Sequence, residues 1–293
     1  MKLLDGRILR DKILEEIRSE VAHLNVTPKL VVVQVGDDPA SDVYIRNKFR
    51  ACKKTGIESE HIHLPADVDQ NTLNARMTAL SKDESVHGIL LQLPLPAQLD
   101  DAEAMNLLNP EKDVDGFHPA NLGRLLAGQP GPIPCTPAGL RALLKEGGIE
   151  TRGKELVILG RSLIVGKPAA LLFLEKSVFG DATVTICHSR SNNLEAICRR
   201  ADILIAAIGR AHFVTANMVK DGAVIVDVGI NRIEDPTSPK GSRIVGDCDF
   251  EGLSSKVSAM TPVPGGVGVM TVAMLMKNTL DACKRQVAMK ARA

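Results

Sequence analysis

Short runs of apolar, often β-branched residues recur along the chain, and each is followed by a longer segment with helical spacing of its apolar positions. Runs that are apolar on both faces and separated by helical segments are typical of buried parallel strands. The pattern therefore predicts an α/β fold. The predicted strands are residues 30–35, 60–64 and 88–93 in the first half, and residues 156–159, 183–187, 203–208 and 223–228 in the second.

A segment rich in proline and glycine, residues 109–137, separates the two sets of strands. Clusters of these residues interrupt helices and strands, so the segment predicts a joint between two α/β halves. The last segment, from residue 270 to about residue 290, places apolar residues at helical spacing. It predicts a terminal helix that packs on a core, without indicating which half supplies that core.

Composition argues against a nucleic-acid partner. Lys and Arg together (36) nearly balance Asp and Glu (35), which leaves a formal charge of +1. So small a net charge gives no general field that would hold nucleic acid or an anionic membrane. Aromatic residues make up 2% of the chain, with one tyrosine and no tryptophan. A base-stacking surface is therefore disfavoured as well.

The sequence also predicts a cytoplasmic protein with neither a membrane span nor a metal site. Its first residues carry charges throughout and lack the apolar run of a signal peptide. One long stretch without charge, residues 257–276, has prolines and glycines in its middle, so it cannot be a continuous apolar helix. The six cysteines form no CxxC pair and no Cys/His spacing typical of zinc. We expect buried thiols in a reducing compartment.

A turn typical of phosphate binding follows the first predicted strand of the second half, in the sequence GRSLIVGKP. Gly160 lets the chain turn tightly and lets a phosphate approach the backbone, while the next helix N-terminus supplies free N–H groups. A P-loop is disfavoured, because five residues separate Gly160 from Gly166 and Pro168 replaces the required Ser or Thr. The GxGxxG pattern is absent too. Only the strand–turn–helix context predicts a nucleotide here.

The end of the next predicted strand favours NADP over NAD. In NAD-binding sheets an acidic residue usually follows this strand and binds the ribose 2′-hydroxyl. Here the strand is followed by His188, Ser189 and Arg190, with no carboxylate. Arg161 and Arg190 carry guanidinium groups suited to a 2′-phosphate, and the alternative is that both are solvated surface residues. We predict NADP as the cofactor, with NAD as the alternative.

A second polar cluster lies in the first half. The segment after the predicted strand 30–35 predicts a helix on which Tyr44 and Lys48, four residues apart, share one face. Gln92 lies at the carboxyl end of the predicted strand 88–93. Ligands of parallel α/β sheets bind beyond the carboxyl ends of the strands, where Gln92 and the start of this helix both belong. That shared location favours a functional role over an ordinary surface pair.

Seven motifs, in order along the chain, resemble one enzyme family. They are DPASDVYIRNK, GILLQLPLP, PEKDVDGFHPAN, PCTPAG, GRSLIVGKP, VDVGIN and TPVPGGVG. Together they closely resemble the bifunctional methylenetetrahydrofolate dehydrogenase/methenyltetrahydrofolate cyclohydrolase family, and the resemblance spans nearly the whole chain. It implies oxidation of 5,10-methylenetetrahydrofolate with NADP⁺, followed by hydrolysis of the methenyl product to 10-formyltetrahydrofolate.

The resemblance also implies the architecture of the enzyme. Two α/β domains would enclose an active site in the cleft between them. A folate-binding catalytic domain would consist of residues 1–137 and 269–293, so that the terminal helix returns to the first domain. A Rossmann-like NADP-binding domain would consist of residues 138–268. A homodimer is implied in the same way.

Roles for individual residues follow from the resemblance. Lys48 is implied as the acid/base residue of the hydrolysis and Gln92 as the partner that positions it. Tyr44 would pack on the folate, and Asp115 would hold the pterin, whose N–H edge matches a carboxylate. The remaining implied positions are a substrate loop of Pro264, Gly265 and Gly266, and NADP contacts at Gly160, Arg161, Ser162, Gly166, Ser189, Arg190 and Ile230.

The chemistry of the two steps agrees with this distribution. Removal of a hydride from the methylene carbon leaves a cation delocalised over N5 and N10, so the first step needs positioning and no base. Hydrolysis needs proton transfers, and a partly desolvated lysine beside a cation would have the lowered pKa that suits them. A dehydrogenase without cyclohydrolase activity and a non-catalytic NADP-binding regulator are the alternatives. Val269 stands where the family commonly has proline, which bears on folate affinity rather than on reaction type.

Overall fold

The computed structural model describes residues 1–238 and 241–291 of the 293 residues. The predicted NADP-binding domain includes residues 239 and 240, and the predicted folate-binding domain includes residues 292 and 293. These four residues lie outside the described part. The strands are β1 (Lys2–Leu3), β2 (Lys29–Val35), β3 (Glu58–Leu64), β4 (Gly88–Leu91), β5 (Glu155–Leu159), β6 (Thr183–Cys187), β7 (Ile203–Ala206), β8 (Val224–Asp227), β9 (Asn231–Glu234), β10 (Ser242–Val245) and β11 (Ala259–Met260).

Helices follow most of these strands, as the apolar periodicity predicts. They are α1 (Gly6–Ala22), α2 (Pro39–Thr55), α3 (Gln70–Lys82), α4 (Asp101–Asn106), α5 (Pro119–Leu126), α6 (Cys135–Glu146), α7 (Gly166–Leu174), α8 (Leu194–Arg199), α9 (Phe250–Leu253) and α10 (Val267–Lys290). The terminal helix α10 therefore begins three residues before the predicted start. In the described part of the chain, no helix is both long and apolar enough to cross a membrane.

The first-half strands form a parallel sheet in the order β3-β2-β4. The central strand β2 is buried on both faces, where its valines and its single leucine pack, as the run LVVV predicts. The edge strand β3 is largely exposed. The prediction that every run is buried was wrong for this strand, since an edge strand has one free side.

Five second-half strands and the N-terminal strand β1 form a six-stranded parallel sheet in the order β1-β11-β8-β7-β5-β6. Leu156 and Ile158 of β5 are fully buried. The edge strand β6 again has exposed positions, contrary to the predicted burial. A short antiparallel pair, β9 and β10, lies outside the sheet. The predicted α/β fold with a Rossmann-like parallel sheet is confirmed.

Two compact units divide the chain. The six-strand unit comprises Met1–Arg10 and Thr136–Thr271, and the three-strand unit comprises Asp11–Cys135 and Val272–Ala293. Residues 1–10 group with the six-strand unit because β1 pairs with β11, whereas the predicted boundaries put them in the other domain. The segment predicted as a joint is more ordered than expected, since it contains α5 and the start of α6.

Candidate active site

The helix that carries Tyr44 and Lys48 starts from a well-defined cap. Asp38 accepts a hydrogen bond of 2.9 Å from the backbone N–H of Ser41, which satisfies a donor of the first turn of α2. Pro39 occupies the first helical position, where its missing N–H is not needed. One turn separates Tyr44 from Lys48, and the Tyr44 side chain is 46% exposed.

Lys48 and Gln92 are hydrogen-bonded. The Lys48 ammonium donates from Nζ to Oε1 of Gln92 over 2.8 Å. Gln92 follows β4, and its backbone N–H donates to the carbonyl of Val33 over 2.8 Å. Its side-chain Nε2 donates to the carbonyl of Leu93 over 2.7 Å, which fixes the orientation of the amide. The Gln92 oxygen is therefore held toward the lysine.

Burial makes the ammonium form of Lys48 less favourable. Desolvation lowers the pKa of Lys48 from its ordinary value, and the negative charge of Asp115 opposes the shift. A lysine in these surroundings loses its proton more readily than one on the surface. It can therefore exchange protons with a neighbouring group nearer to neutral pH.

The loop that presents Asp115 is folded around Asp113. The Asp113 carboxylate is 1% exposed and accepts hydrogen bonds from the backbone N–H groups of Gly116 (2.9 Å) and His118 (2.8 Å) and from Nδ2 of Asn121 (2.9 Å). Gly116 has φ +77°, and a Cβ there would lie 2.7 Å from the nitrogen of Pro134. The turn therefore needs glycine.

Asp115 is left with few partners of its own. Its Oδ1 lies 3.8 Å from Sγ of Cys135. Burial raises the pKa of Asp115 to about 6, with Lys48 acting to lower it and the charge of Asp113 to raise it further. Burial also raises the pKa of the Cys135 thiol, which therefore carries its proton and can donate it toward the carboxylate. Asp115 can accept a donor from a bound molecule, whereas Asp113 is buried and uses both of its oxygens within the loop.

Sequence reasoning missed the roles of Asp113 and Cys135. Asp113 lies in the motif PEKDVDGFHPAN and Cys135 in the motif PCTPAG. The D-x-D spacing gives no sign of which carboxylate is used inside the loop. The approach of Cys135 to Asp115 joins residues twenty positions apart, which no local pattern reports.

The strand order of the six-strand unit reverses at β5. The chain runs from β5 to β6 on one side and then returns to β7 on the other side of β5. Dinucleotides bind at such switch points, beyond the carboxyl ends of the strands. Gly160 lies there with φ +139°, and any Cβ would overlap the carbonyl of Ala207. A Cβ on Gly166 would likewise overlap the carbonyl of Gly160. Both glycines therefore lie directly against backbone carbonyls, where no side chain fits.

The predicted NADP contacts of β5 and β6 lie in neighbouring loops. The Leu159–Cys187 register pairs the two strand ends, and the N–H of Gly160 donates to the carbonyl of Cys187 over 2.8 Å. The side chains at the start of these two loops are exposed: Arg161, Ser162, Ser189 and Arg190. Within the described residues, neither guanidinium has a side-chain hydrogen bond or ion pair. Glycine backbone and unpaired positive charge fit a phosphate-bearing cofactor.

Two buried aspartates fix the loops beyond β7 and β8. Asp227, the last residue of β8, accepts hydrogen bonds from three backbone N–H groups, those of residues 229, 247 and 248. Asp247 accepts from the backbone N–H groups of residues 208–210 at 2.7–2.9 Å. Ile230, in the loop that follows Asp227, is 53% exposed. Sequence reasoning did not identify these two carboxylates as anchors, although Asp227 lies in the motif VDVGIN.

The predicted substrate loop is packed closely on the start of α1. The carbonyl of Gly265, which has φ +113°, accepts the N–H of Gly6 over 2.8 Å. A Cβ on Gly6 would overlap the carbonyl of Gly266 and lie 3.0 Å from Cγ2 of Val269. The valine that replaces the family's usual proline therefore packs at Gly6, in the first turn of α10.

The predicted site residues fall into two groups. Tyr44, Lys48, Gln92 and Asp115 belong to the three-strand unit, and all the others belong to the six-strand unit. That the two groups share one cleft stays a prediction. The described residues contain no cluster of metal-ligating side chains.

Comparison with known proteins identifies relatives along the whole chain. Residues 4–115 match the family model described as "Tetrahydrofolate dehydrogenase/cyclohydrolase, catalytic domain", and residues 134–287 match "Tetrahydrofolate dehydrogenase/cyclohydrolase, NAD(P)-binding domain". The "Bifunctional protein FolD" of Chlorobium phaeovibrioides is 51% identical over 291 residues, which cover 97% of this chain and 99% of that protein. The protein of the same name from Acetivibrio thermocellus is 49% identical and covers 99% of each chain.

Two solved structures of enzymes with related names are also similar to this chain along nearly its whole length. The bifunctional enzyme FolD, methylenetetrahydrofolate dehydrogenase/cyclohydrolase, from Campylobacter jejuni is 45% identical with a TM-score of 0.92, covering 97% of this chain and 99% of that one. The N5,N10-methylenetetrahydrofolate dehydrogenase-cyclohydrolase of Trypanosoma brucei, solved with NADP cofactor and inhibitor, is 37% identical with a TM-score of 0.90, covering 97% and 98%.

Proposed function

The chain belongs to the tetrahydrofolate dehydrogenase/cyclohydrolase family, and we propose that it catalyses both reactions: the oxidation of 5,10-methylenetetrahydrofolate with NADP⁺ and the hydrolysis of the methenyl product to 10-formyltetrahydrofolate. The proposal that the protein hydrolyses the methenyl product rests on the hydrogen bond between a desolvated Lys48 and Gln92. A lysine with a lowered pKa is not needed for hydride removal, whereas hydrolysis requires proton transfer.

The dehydrogenase step depends on positioning. NADP⁺, when bound, supplies the acceptor for the hydride that leaves the methylene carbon. The turn at Gly160 would hold the pyrophosphate against backbone N–H groups, while Arg161 and Arg190 would bind the 2′-phosphate. Ser162, Ser189 and the residues around Gly166 would complete this contact. Ile230 would present an exposed apolar surface beyond β8.

Lys48 performs the proton transfers of the hydrolysis. Water adds to the methenyl carbon, and Lys48 in its amine form accepts the proton that the water loses. The bond from that carbon to N5 then breaks, and N5 takes up a proton. Of the two protons of the water, one ends on N5 and one is released to solvent. Gln92 keeps Nζ in place between these steps by accepting its hydrogen bond.

Asp115 and Tyr44 bind the folate. The Asp115 carboxylate would accept from the N–H edge of the pterin, a pairing that suits a partly buried carboxylate whose neighbour, the Cys135 thiol, is a weak donor. The exposed Tyr44 ring would pack against the folate one helical turn from Lys48. Pro264, Gly265 and Gly266 would supply a backbone surface to the substrate, because glycines allow close approach.

The family resemblance also supports a homodimer in the cytoplasm. Light scattering at micromolar concentration tests the dimer: a mass of twice 31.4 kDa is expected, and a monomer would contradict it. Fractionation of cells tests the compartment.

A paired absorbance assay of the purified protein tests the function. The protein is given 5,10-methylenetetrahydrofolate with NADP⁺ or NAD⁺, and then methenyltetrahydrofolate alone. We expect reduced cofactor with NADP⁺, weaker reduction with NAD⁺, and enzymatic loss of methenyl absorbance. Reduction without enzymatic hydrolysis would favour a dehydrogenase alone. Binding of both ligands without turnover would favour a regulator.

A further inference from the structure

A buried asparagine of α10 joins the two backbone segments that surround Asp115. Asn278 is 9% exposed, and its Nδ2 donates to the carbonyl of Val114 over 2.8 Å and to the carbonyl of Ile133 over 2.9 Å. The same nitrogen lies 3.7 Å from Sγ of Cys135. Both hydrogens of the amide are therefore used on carbonyls of segments that are far apart in sequence.

These contacts lead directly to the Asp115 carboxylate. Val114 is the residue before Asp115, and its carbonyl also lies 3.5 Å from Sγ of Cys135. That sulfur in turn lies 3.8 Å from Oδ1 of Asp115. Asn278 thus binds the backbone directly before Asp115. It also binds the segment that carries Cys135, whose thiol is close to the Asp115 carboxylate.

We propose that Asn278 is a positioning residue that sets the orientation of the Asp115 carboxylate toward the substrate. The inference rests on the proposed binding of the pterin by Asp115. Asp113 folds the loop internally through three donors, but it does not connect the loop to the segment containing Ile133. Asn278 makes that connection with one rigid amide group.

A positioning role and a merely structural role have different kinetic signatures. Loss of structure alone lowers the amount of active enzyme, so kcat falls while the KM of the surviving enzyme is unchanged. A carboxylate turned away from the pterin weakens folate binding, so the KM for folate rises in both reactions. The KM for NADP⁺ is unaffected in either case.

The test uses Asn278→Leu, which keeps the side-chain shape and removes both N–H groups. Thr279→Val is the matched control. Thr279 is the next residue on α10 and is fully buried, and among the described residues its hydroxyl donates only to the carbonyl of Leu275 in its own helix. We expect Asn278→Leu to raise the KM for both folate substrates about tenfold, with kcat and the KM for NADP⁺ within about twofold of wild type. Thr279→Val leaves all these constants unchanged.

A double-mutant cycle with Asp115→Asn completes the test. If Asn278 acts through Asp115, the double variant has the same folate KM as Asp115→Asn alone. An unchanged folate KM in Asn278→Leu, or independent effects in the double variant, would overturn the inference while leaving the role of Asp115 intact. An unchanged folate KM in Asp115→Asn would overturn the role of Asp115, and the inference with it.

Discussion

The ammonium of Lys48 and the amide oxygen of Gln92 are 2.8 Å apart, and the other end of that amide is bound to the backbone of Leu93. The glutamine can therefore offer only its oxygen to the lysine. An amide oxygen is neutral, so it orients the ammonium without strongly stabilising the charge. That arrangement leaves desolvation as the larger influence and keeps the pKa of Lys48 low.

Replacing this neutral acceptor by a charged one changes the pH dependence of hydrolysis. In Gln92→Glu a carboxylate next to Lys48 stabilises the ammonium, so the pKa of the lysine rises and the amine forms only at higher pH. We expect the rising limb of the cyclohydrolase pH profile to move upward by about one pH unit. Gln92→Met, which removes the acceptor without adding charge, is the control and lacks this upward shift. An unchanged profile in Gln92→Glu would contradict the assignment.

Asp115 makes stability depend on pH in a specific direction. Its pKa is raised from 3.8 to about 6 in the folded protein, so between these values the folded state binds more protons than the unfolded state. The contribution of Asp115 to the free energy of unfolding is therefore most favourable below pH 4 and is lost as pH rises through 6. We expect the free energy of unfolding of Asp115→Asn, measured with urea at pH 7.5, to exceed that of wild type by up to about 3 kcal/mol. The difference should vanish near pH 4.

The protonation of Asp115 should also make folate binding depend on pH. A protonated Asp115 has one O–H donor in place of one of its two acceptor oxygens and carries no charge, so it binds the N–H edge of the pterin less well. The wild-type KM for folate should therefore rise as pH falls below 6. In Asp115→Asn that rise should be absent. A folate KM that varies equally with pH in both proteins would contradict the role of this carboxylate.

The cofactor preference can be tested at Arg161. Its exposed guanidinium lies at the carboxyl end of β5. We expect Arg161→Ala to lower the affinity for NADP⁺ by about tenfold or more and to leave the affinity for NAD⁺ nearly unchanged, because one charge-assisted contact to the 2′-phosphate is lost. Arg152, an exposed arginine just before the amino end of β5, supplies the control Arg152→Ala. Calorimetric titration measures both cofactors. Equal losses for NADP⁺ and NAD⁺ would count against a 2′-phosphate contact.

Close packing at Gly160 gives a prediction about stability. In Gly160→Ala the methyl group meets the carbonyl of Ala207 and φ remains near +139°, so we expect a loss of about 3 kcal/mol or more in the free energy of unfolding. Gly153 also has positive φ, +68°, but has open space around it. Gly153→Ala should cost only about 1 kcal/mol. Similar losses in urea unfolding would show that strain, and not crowding, determines the requirement for glycine.

The parts of the fold that the sequence predicts are those with a strong local pattern. The apolar runs of β2, β4, β5, β7 and β8 are found where expected, within two residues at their ends. The two-residue strands β1 and β11 are too short to show any periodicity, so the pairing that joins residues 1–10 to the six-strand unit was missed. The edge strand β3 (ESEHIHL) is mostly polar, in keeping with its exposure, whereas for β6 (TVTIC) only the sheet order reveals the exposed positions.

The candidate site likewise has a part that local sequence patterns predict and a part that depends on contacts between distant residues. The spacing of Tyr44 and Lys48 and the position of Gln92 at a strand end are local features, so the amino-acid sequence alone indicates a cluster there. The contacts of Asp115 are not local: Cys135 and Asn278 reach it or its neighbour across 20 and 164 residues. No periodicity or motif spacing reports a contact of that kind, so the environment that sets the pKa of Asp115 is defined only by the fold.

Substitution of Lys48 tests the central claim most directly. Lys48→Met keeps an unbranched chain and removes the ammonium, while Lys53→Met changes an exposed lysine of the same helix as a control. The measurement is the rate at which added methenyltetrahydrofolate disappears, with NADP⁺ reduction followed in parallel. We expect hydrolysis in Lys48→Met to fall by about 10²-fold or more, to the uncatalysed rate, while folate still binds and methenyltetrahydrofolate accumulates during oxidation. Equal hydrolysis rates in Lys48→Met and wild type would contradict the account.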